Sequence, residues 1–459
     1  MRLQDRYMIS PEVLWEPRQS FYVLAGGRKS GLSIANPSLI DLLQQFDGKS
    51  SVNEIIHKMS AATRSAVEQL PSSLYQTIQE LADREIILPA NGKARARQRK
   101  SPQKQAEQFS HLYIELTSKC NLRCKHCYME GGLARPNELR LSQMLTLIEE
   151  FAELGGAFFT LSGGEPLLYP NWPALAKHAA KKGLRLALMT NGTYLDQKSL
   201  DLIKALGITV GLGLDGIRAE THDANRGKGS FAETMQALQR LADNHYLYNT
   251  TICFTPMRFN IYDLPGVVEM MRQRGLPRLY VSLLEARGRA EYFMERLQLT
   301  EAQRQWLIGY LYQASLDLLG TMAIEVTHHV EIFQRLIFNY DDGNDDAAKL
   351  TIRITSDGEV YLSAYMGAPE HQVGQVGKAS LKAMLNSPKA GKILGAIERR
   401  VETIPKCRNC VYKGICRGGS AVLAHSKFGT FNEPDEFCES RISLFQNVVA
   451  QKASQLRMN

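Results

Sequence analysis

The amino-acid sequence predicts an α/β protein with a parallel sheet at its centre, and three observations carry that expectation. From Tyr113 to about Ala290, short apolar runs at Phe158–Ser162, Arg185–Thr190, Thr209–Leu214, Thr250–Phe254 and Leu279–Leu283 alternate with amphipathic stretches such as Ser142–Leu154 and Trp172–Lys182. Strand-helix alternation implies parallel pairing, with ligands at the carboxyl ends of the strands. Cysteine-bearing or glycine-rich loops follow several of these runs, where such ligands would sit. The 459 residues leave room for about three domains at roughly 150 residues each, so smaller units should flank the sheet.

The segment before the sheet is self-contained. Strand-like pieces at Phe21–Leu24 and Gly31–Ser33 lead to a helix around Pro37–Phe46, which Asp47-Gly48 stops. Ser50 or Ser51 can cap a second helix through Met59, and a third, Leu74–Arg84, ends in the strand-like Ile86–Leu88. This is a winged-helix outline over residues 1–90. It resembles the peptide-recognition element of peptide-modifying enzymes, most closely at Asp47-Gly48 and Val52–Ile56. The resemblance implies that a leader peptide adds as a strand to a sheet edge. A DNA-binding winged helix is the alternative, although the second and third helices lack a basic recognition face. Residues 91–109 read as a flexible linker: Lys93, Arg95, Arg97, Arg99, Lys100 and Lys104 occur with no acidic residue between Asn91 and Gln105. A contact to nucleic acid or an acidic peptide is the sharper alternative there.

The net charge of +8 is partly this local run, and the composition is ordinary for a globular chain. No apolar core of signal-peptide length follows Met1, and no run of eighteen apolar residues occurs, so a cytoplasmic protein with no membrane partner is expected. Of eight cysteines, seven fall in two clusters. That usage fits a reducing compartment and metal ligation better than disulfides. Cys253 alone lies in a strand-like run, as a packed thiol.

Cys120, Cys124 and Cys127 follow the alternating run His111–Leu116 with spacing C-x3-C-x2-C. Three thiolates on one short loop can hold three irons of a 4Fe-4S unit and leave the fourth open, since no further Cys follows nearby. Zinc would need His126 as fourth ligand, in a poor position between two others. The run Thr117–Tyr128 resembles the signature of the radical S-adenosylmethionine (radical SAM) enzymes, with His126 where an aromatic ring usually stands. That resemblance implies a partial (β/α)6 barrel over residues 110–297. It also implies S-adenosylmethionine chelated to the open iron, an electron donor such as flavodoxin or ferredoxin, and cleavage to a 5'-deoxyadenosyl radical.

Further motifs fit the same resemblance. Gly163 and Gly164 let backbone approach a ligand, and Glu165 offers a carboxylate to the ammonium of the cofactor. Asn191, in Thr190-Asn191-Gly192-Thr193, resembles the family's loop near the cofactor, though an Asn-Gly turn needs no ligand. Gly213 stands where relatives carry Ser before Leu-Asp-Gly, so that contact is not carried over. Arg226 could offer a fork to a carboxylate or substrate carbonyl, or lie on the surface, and Glu285–Ala290 resembles the turn that closes the pocket. Residues 298–350 read as a helical bridge.

The last segment, 351–459, carries a strand pair around Ile352–Leu362, then Cys407, Cys410, Cys416 and Cys438, and a closing helix after Glu439. It resembles the SPASM extension of peptide-modifying radical SAM enzymes. In that scheme the four cysteines bind one auxiliary 4Fe-4S cluster, while Ser363 and Ser420 stand where ligands of a second one are expected. Zinc on four thiolates remains open on spacing alone. The whole resemblance implies a maturase that binds a ribosomally made precursor peptide and forms a macrocyclic carbon-carbon, ether or thioether crosslink. An activating enzyme that oxidises a Cys or Ser of a folded protein is the rival enzyme, and a non-catalytic peptide carrier the rival from another class.

Overall fold

The computed structural model describes residues 2–10, 13–18, 21–25, 32–35, 37–62, 70–90, 109–327, 332–333, 336 and 350–458. The predicted basic linker, Asn91–Gln105, lies outside them. In chain order, β1 (Arg6–Ile9), β2 (Leu14–Arg18), β3 (Phe21–Ala25), β4 (Leu32–Ala35), β5 (Asp47–Ser51) and β6 (Ile87–Pro89) form two antiparallel sheets, ordered β5-β1-β6 and β2-β3-β4. Sequence patterning missed β1, β2 and β5. Pro17 argues against a strand, yet β2 pairs on one side only, and an edge tolerates a residue without an N–H. Asp47 accepts from the Lys49 and Ser50 N–H groups at 2.8 and 2.9 Å, and Gly48 has φ +77°, so this pair opens a strand.

Ser51 and Glu54 then form a reciprocal cap on the helix Val52–Ala62, at 2.7 and 3.3 Å. With the helices Pro37–Leu43 and Leu70–Asp83, it buries Leu43, Phe46, Val52, Ile55, Ile78 and Ile87 in a core separate from the rest of the molecule.

The central sheet follows. Strands β7 (Phe109–Glu115), β8 (Phe158–Ser162), β9 (Arg185–Thr190), β10 (Thr209–Gly213), β11 (Thr250–Phe254) and β12 (Arg278–Val281) lie side by side in that order, all parallel. These are the six predicted strands. Each sends apolar residues such as Leu112, Phe159, Leu188, Leu212, Ile252 and Leu279 into one contiguous core, against helices such as Leu141–Glu153 and Trp172–Lys181.

The sheet does not stop there. Strand β13 (Ala323–Val326) adds parallel to β12, and β14 (Leu350–Ile354) adds parallel to β7. In this sheet only the pairings of β15 (Glu359–Tyr361) with β14 and with β16 (Gly374–Gln375) are antiparallel. The segment 298–350 therefore holds a strand as well as the helix Glu301–Asp317, and a boundary at 350/351 falls inside β14. Four residues, Ala-Ile-Glu-Val, are too few for periodicity to reveal β13. No described helix is long and apolar enough to cross a membrane.

Across the β7–β14 seam, Arg353 Nε donates to Glu115 Oε1 at 2.8 Å, with both side chains buried. Arg353 Nη1 donates to the Met366 carbonyl at 2.5 Å. Arg353→Met should leave Glu115 buried without its cation, at a cost of about 3–5 kcal/mol, read as a lowered urea midpoint. Adding Glu115→Leu should restore most of that loss.

Candidate active site at the carboxyl ends of the strands

The loop after β7 is shaped by its own backbone. Cys120 N donates to Gly132 O at 2.9 Å and Gly132 N to Ser118 O at 2.8 Å, while Glu138 accepts from Thr117 Oγ1 and from Ser118 N and Oγ. Inside this frame the three thiols share one loop. Leu122 N points at Cys120 Sγ (3.4 Å) and Gly131 N at Cys127 Sγ (3.3 Å). N–H groups aimed at sulfur are what a thiolate-held cluster uses to set its potential. Burial pushes the Cys124 thiol up to about 12 despite Arg226 nearby. His126 turns its Nδ1 to Asn225 Nδ2, and Asp215 lies 3.8 Å away. Three thiols, two of them with N–H donors, fit an iron-sulfur cluster with one uncommitted corner.

Gly163 and Gly164 press against this loop. A Cβ on Gly163, at φ +129°, would lie 2.5 Å from Thr117 O, and one on Gly164 would lie 2.6 Å from Ser118 O. Only glycine permits that approach. Glu165 is fully buried and accepts from Leu167 N (3.1 Å), Thr190 Oγ1 (2.8 Å) and Asn191 N (2.9 Å). Burial raises its carboxyl to about 7, against those hydrogen bonds. Glu165 thus braces the ends of β8 and β9, and an incoming ammonium would share it with donors of the chain. Asn191 bridges loops instead of merely turning: its Nδ2 donates to Asn121 Oδ1 at 3.0 Å and faces Cys120 Sγ at 3.9 Å.

Beneath the cysteines lies a charge network that the motifs did not reveal. Asp215, fully buried, accepts from Thr255 N (2.9 Å) on Oδ1 and from Asn225 Nδ2 (2.8 Å) and Arg226 Nε (2.7 Å) on Oδ2. Burial pushes its carboxyl up, but Arg226, His126, His222 and the Thr255 N–H outweigh it and hold the group at about 2. The surface alternative for Arg226 is excluded. Its guanidinium occupies the space a side chain at Gly213 would need, since a Cβ there would lie 2.5 Å from Nη2. Arg289 completes the frame, donating to Cys124 O at 3.0 Å and Gly131 O at 2.7 Å.

One wall of the mouth is phenolic and charged. Tyr113 OH contacts Tyr128 OH (3.1 Å) and Ser162 Oγ (2.5 Å), and Tyr280 OH contacts Tyr365 OH. Arg287 stacks over the Tyr128 ring at 5.1 Å and lies 3.4 Å from Glu285. Nη2 has the Glu285 carboxylate beside it, and Nε, itself out of solvent contact, has no hydrogen-bond partner among the described residues, so this donor is open to a ligand. Tyr128 closes the run Thr117–Tyr128 and Arg287 lies in the Glu285–Ala290 turn, but Tyr280 and Tyr365 belong to no motif, because the wall converges from four distant segments.

The other four cysteines gather elsewhere, around Cys407, whose thiol burial and then Cys416, Cys438 and Cys410 push up to about 12. The chain turns tightly there: Arg417, Gly418 and Gly419 all have positive φ. Arg400 donates to the carbonyls of Gly418 (3.0 Å) and Glu433 (2.8 Å), and buried Arg441 pairs with Asp435 (2.7 Å) and donates to Cys416 Sγ (3.2 Å). Ser420 Oγ caps the helix Ala421–Phe428 through Leu423 N (3.1 Å). Ser363 Oγ accepts from Tyr365 N at 3.3 Å.

Residues 114–271 match the radical SAM superfamily, and residues 347–411 match SPASM, an iron-sulfur cluster-binding domain. Both domains are present in the chain, and S-adenosylmethionine and 4Fe-4S clusters are the cofactors they take. A biosynthesis protein of Bacillus subtilis for the antilisterial bacteriocin subtilosin, AlbA, is 25% identical over 83% of this chain and 83% of its own. Fe-coproporphyrin III synthase of Methanosarcina barkeri is 26% identical over 70% of this chain and 86% of its own. Among solved structures, Streptococcus suis SuiB bound to the precursor peptide SuiA is similar in fold, with TM-score 0.57 at 14% identity, covering 94% of this chain and 99% of that one.

Asp215→Asn should strand the Arg226 charge, destabilise the protein by about 3–5 kcal/mol and lower cluster iron per chain after reconstitution. Glu285 gives a pH test. Burial raises its carboxyl to about 7, against Arg287 and Arg353, above the unfolded value of about 4.3. Its protonated form is favoured by folding, so this contribution is full below the unfolded value and lost as pH rises through 7. Glu285→Gln should therefore gain a few degrees in Tm relative to wild type between pH 5 and pH 8, and a flat difference would refute the assignment.

Proposed function

We propose that this chain is a cytoplasmic radical SAM maturase of a ribosomally made precursor peptide that oxidises a core side chain to a macrocyclic crosslink. The observation that carries the reading is the convergence, at one end of the parallel sheet, of the three-cysteine loop with a half-buried Arg287 whose Nε has no hydrogen-bond partner among the described residues. Cys120, Cys124 and Cys127 would hold the cluster, with Gly163, Gly164, Asn191 and Arg226 around it. Reductive cleavage of S-adenosylmethionine supplies the hydrogen-abstracting chemistry when these cofactors are bound.

The chain's own part is positioning. Arg287 can donate to a peptide carbonyl or carboxylate, the phenols of Tyr113, Tyr128 and Tyr280 crowd water from the mouth, and Glu285 can take the proton that a net two-electron oxidation releases. An edge of the β2-β3-β4 sheet offers backbone donors and acceptors for a leader segment. Cys407, Cys410, Cys416 and Cys438 would hold a single auxiliary 4Fe-4S cluster that relays an electron outward. Ser363 and Ser420 support a single cluster, because each hydroxyl serves the local backbone. Reconstituted protein should then carry about eight irons per chain, against about four if the second site takes zinc.

The likeness to Fe-coproporphyrin III synthase favours a second reading, a tetrapyrrole substrate whose carboxylates meet Arg287. Incubating reduced, reconstituted protein with a co-encoded precursor peptide separates the two. Deoxyadenosine release together with a mass loss of two hydrogens per crosslink is expected, and release with an unaltered peptide would sink the maturase reading. Arg287→Ala should lower peptide turnover by at least about tenfold, while leaving deoxyadenosine release without peptide intact.

A further inference from the structure

Away from the barrel mouth, three ligand-type side chains come together that none of the chemistry above employs. Glu370 and His371 lie on the 3-10 turn Pro369–His371, and His425 lies on the helix Ala421–Phe428. One carboxylate oxygen and one nitrogen from each imidazole all lie within 4.8 Å of one another. His425 Nε2 is 3.7 Å from Glu370 Oε1, and the two imidazole centroids are 4.2 Å apart at 68°. His371 is buried and stacks on Phe431 at 5.0 Å, which fixes its ring.

The donor types decide which cation fits. Two imidazoles and a carboxylate suit first-row divalent ions, whereas the thiolates of this chain draw softer centres. Bonds of about 2.0–2.1 Å in a tetrahedron place ligand atoms about 3.3 Å apart, a small adjustment from the spacing seen here.

We propose that Glu370, His371 and His425 form an exchangeable site for a first-row divalent cation of the Zn(II) class, with the fourth position open to water. Such an ion ties the turn Pro369–His371 to the helix Ala421–Phe428, which lies between Cys416 and Cys438 of the second cysteine cluster. The same segment carries Tyr365, which reaches Tyr280, and Met366, whose carbonyl receives Arg353. An occupied site therefore steadies the stretch that carries the Tyr365 and Met366 contacts.

The test uses the full chain with its iron-sulfur clusters reconstituted, so that the thiolates are already engaged. Zn(II) is titrated anaerobically against a chromophoric chelator, and retained zinc is counted by elemental analysis beside iron and sulfide. Wild type should retain one zinc per chain. Glu370→Gln and His425→Ala should each weaken retention by at least about tenfold at unchanged iron and sulfide. Because Glu370 is exposed, its variant decides the matter even if His425→Ala loses iron. Equal zinc uptake by wild type and Glu370→Gln, or no retained zinc in wild type, overturns the proposal.

Discussion

The buried Asp215 carboxylate is the constraint on which the catalytic end of the molecule rests. A charge with no exposure is tolerable only when fully paired, and Asp215 is met by a guanidinium, an amide side chain and a backbone N–H. Each donor belongs to a different constraint. Arg226 carries positive charge toward Cys124, Asn225 holds the loop through His126 and accepts Lys125 N into its carbonyl at 2.9 Å, and Thr255 ties in the end of β11. The geometry of the cysteine loop is thus referred back to a single carboxylate at the end of β10.

A second buried pair plays the same part for the architecture. Glu115 and Arg353 close the seam between β7 and β14, and Arg353 sits over the rings of Tyr128 at 5.4 Å and Tyr361 at 5.5 Å. Tyr128 belongs to the cysteine loop and Tyr361 to β15, so the one guanidinium touches both the loop and the added strands. Packing of the sheet and definition of the pocket are consequently not separable here.

Much of the site was legible because its chemistry is local in sequence. Three thiols within eight residues, Gly163-Gly164 against them, and strands β8 to β12 with strong apolar runs all show in short windows. The rest depends on distant partners. Asp215 reads as an ordinary turn residue until Arg226 and Thr255 are seen on it, and Arg287 reads only as part of a pocket-closing turn until its place over the Tyr128 ring is seen. Glu165 was legible in place but not in posture, since its partners Thr190 and Asn191 come from the next strand. At the amino end, β1 and β2 are short, and one of them carries a proline, so neither pattern nor propensity marks them.

Strand β14 also changes what kind of object the carboxyl-terminal region is. It is hydrogen-bonded along β7, the strand that launches the cysteine loop, so the polypeptide after residue 350 is stitched into the sheet that it follows. Grafting that region onto another barrel, or expressing the barrel without it, would strip β7 of a neighbour along its length and bare a row of backbone amides beside the thiols. The first ninety residues own a core of their own and meet the main one through Leu14, so exchange of them should disturb the sheet less than exchange of the last hundred.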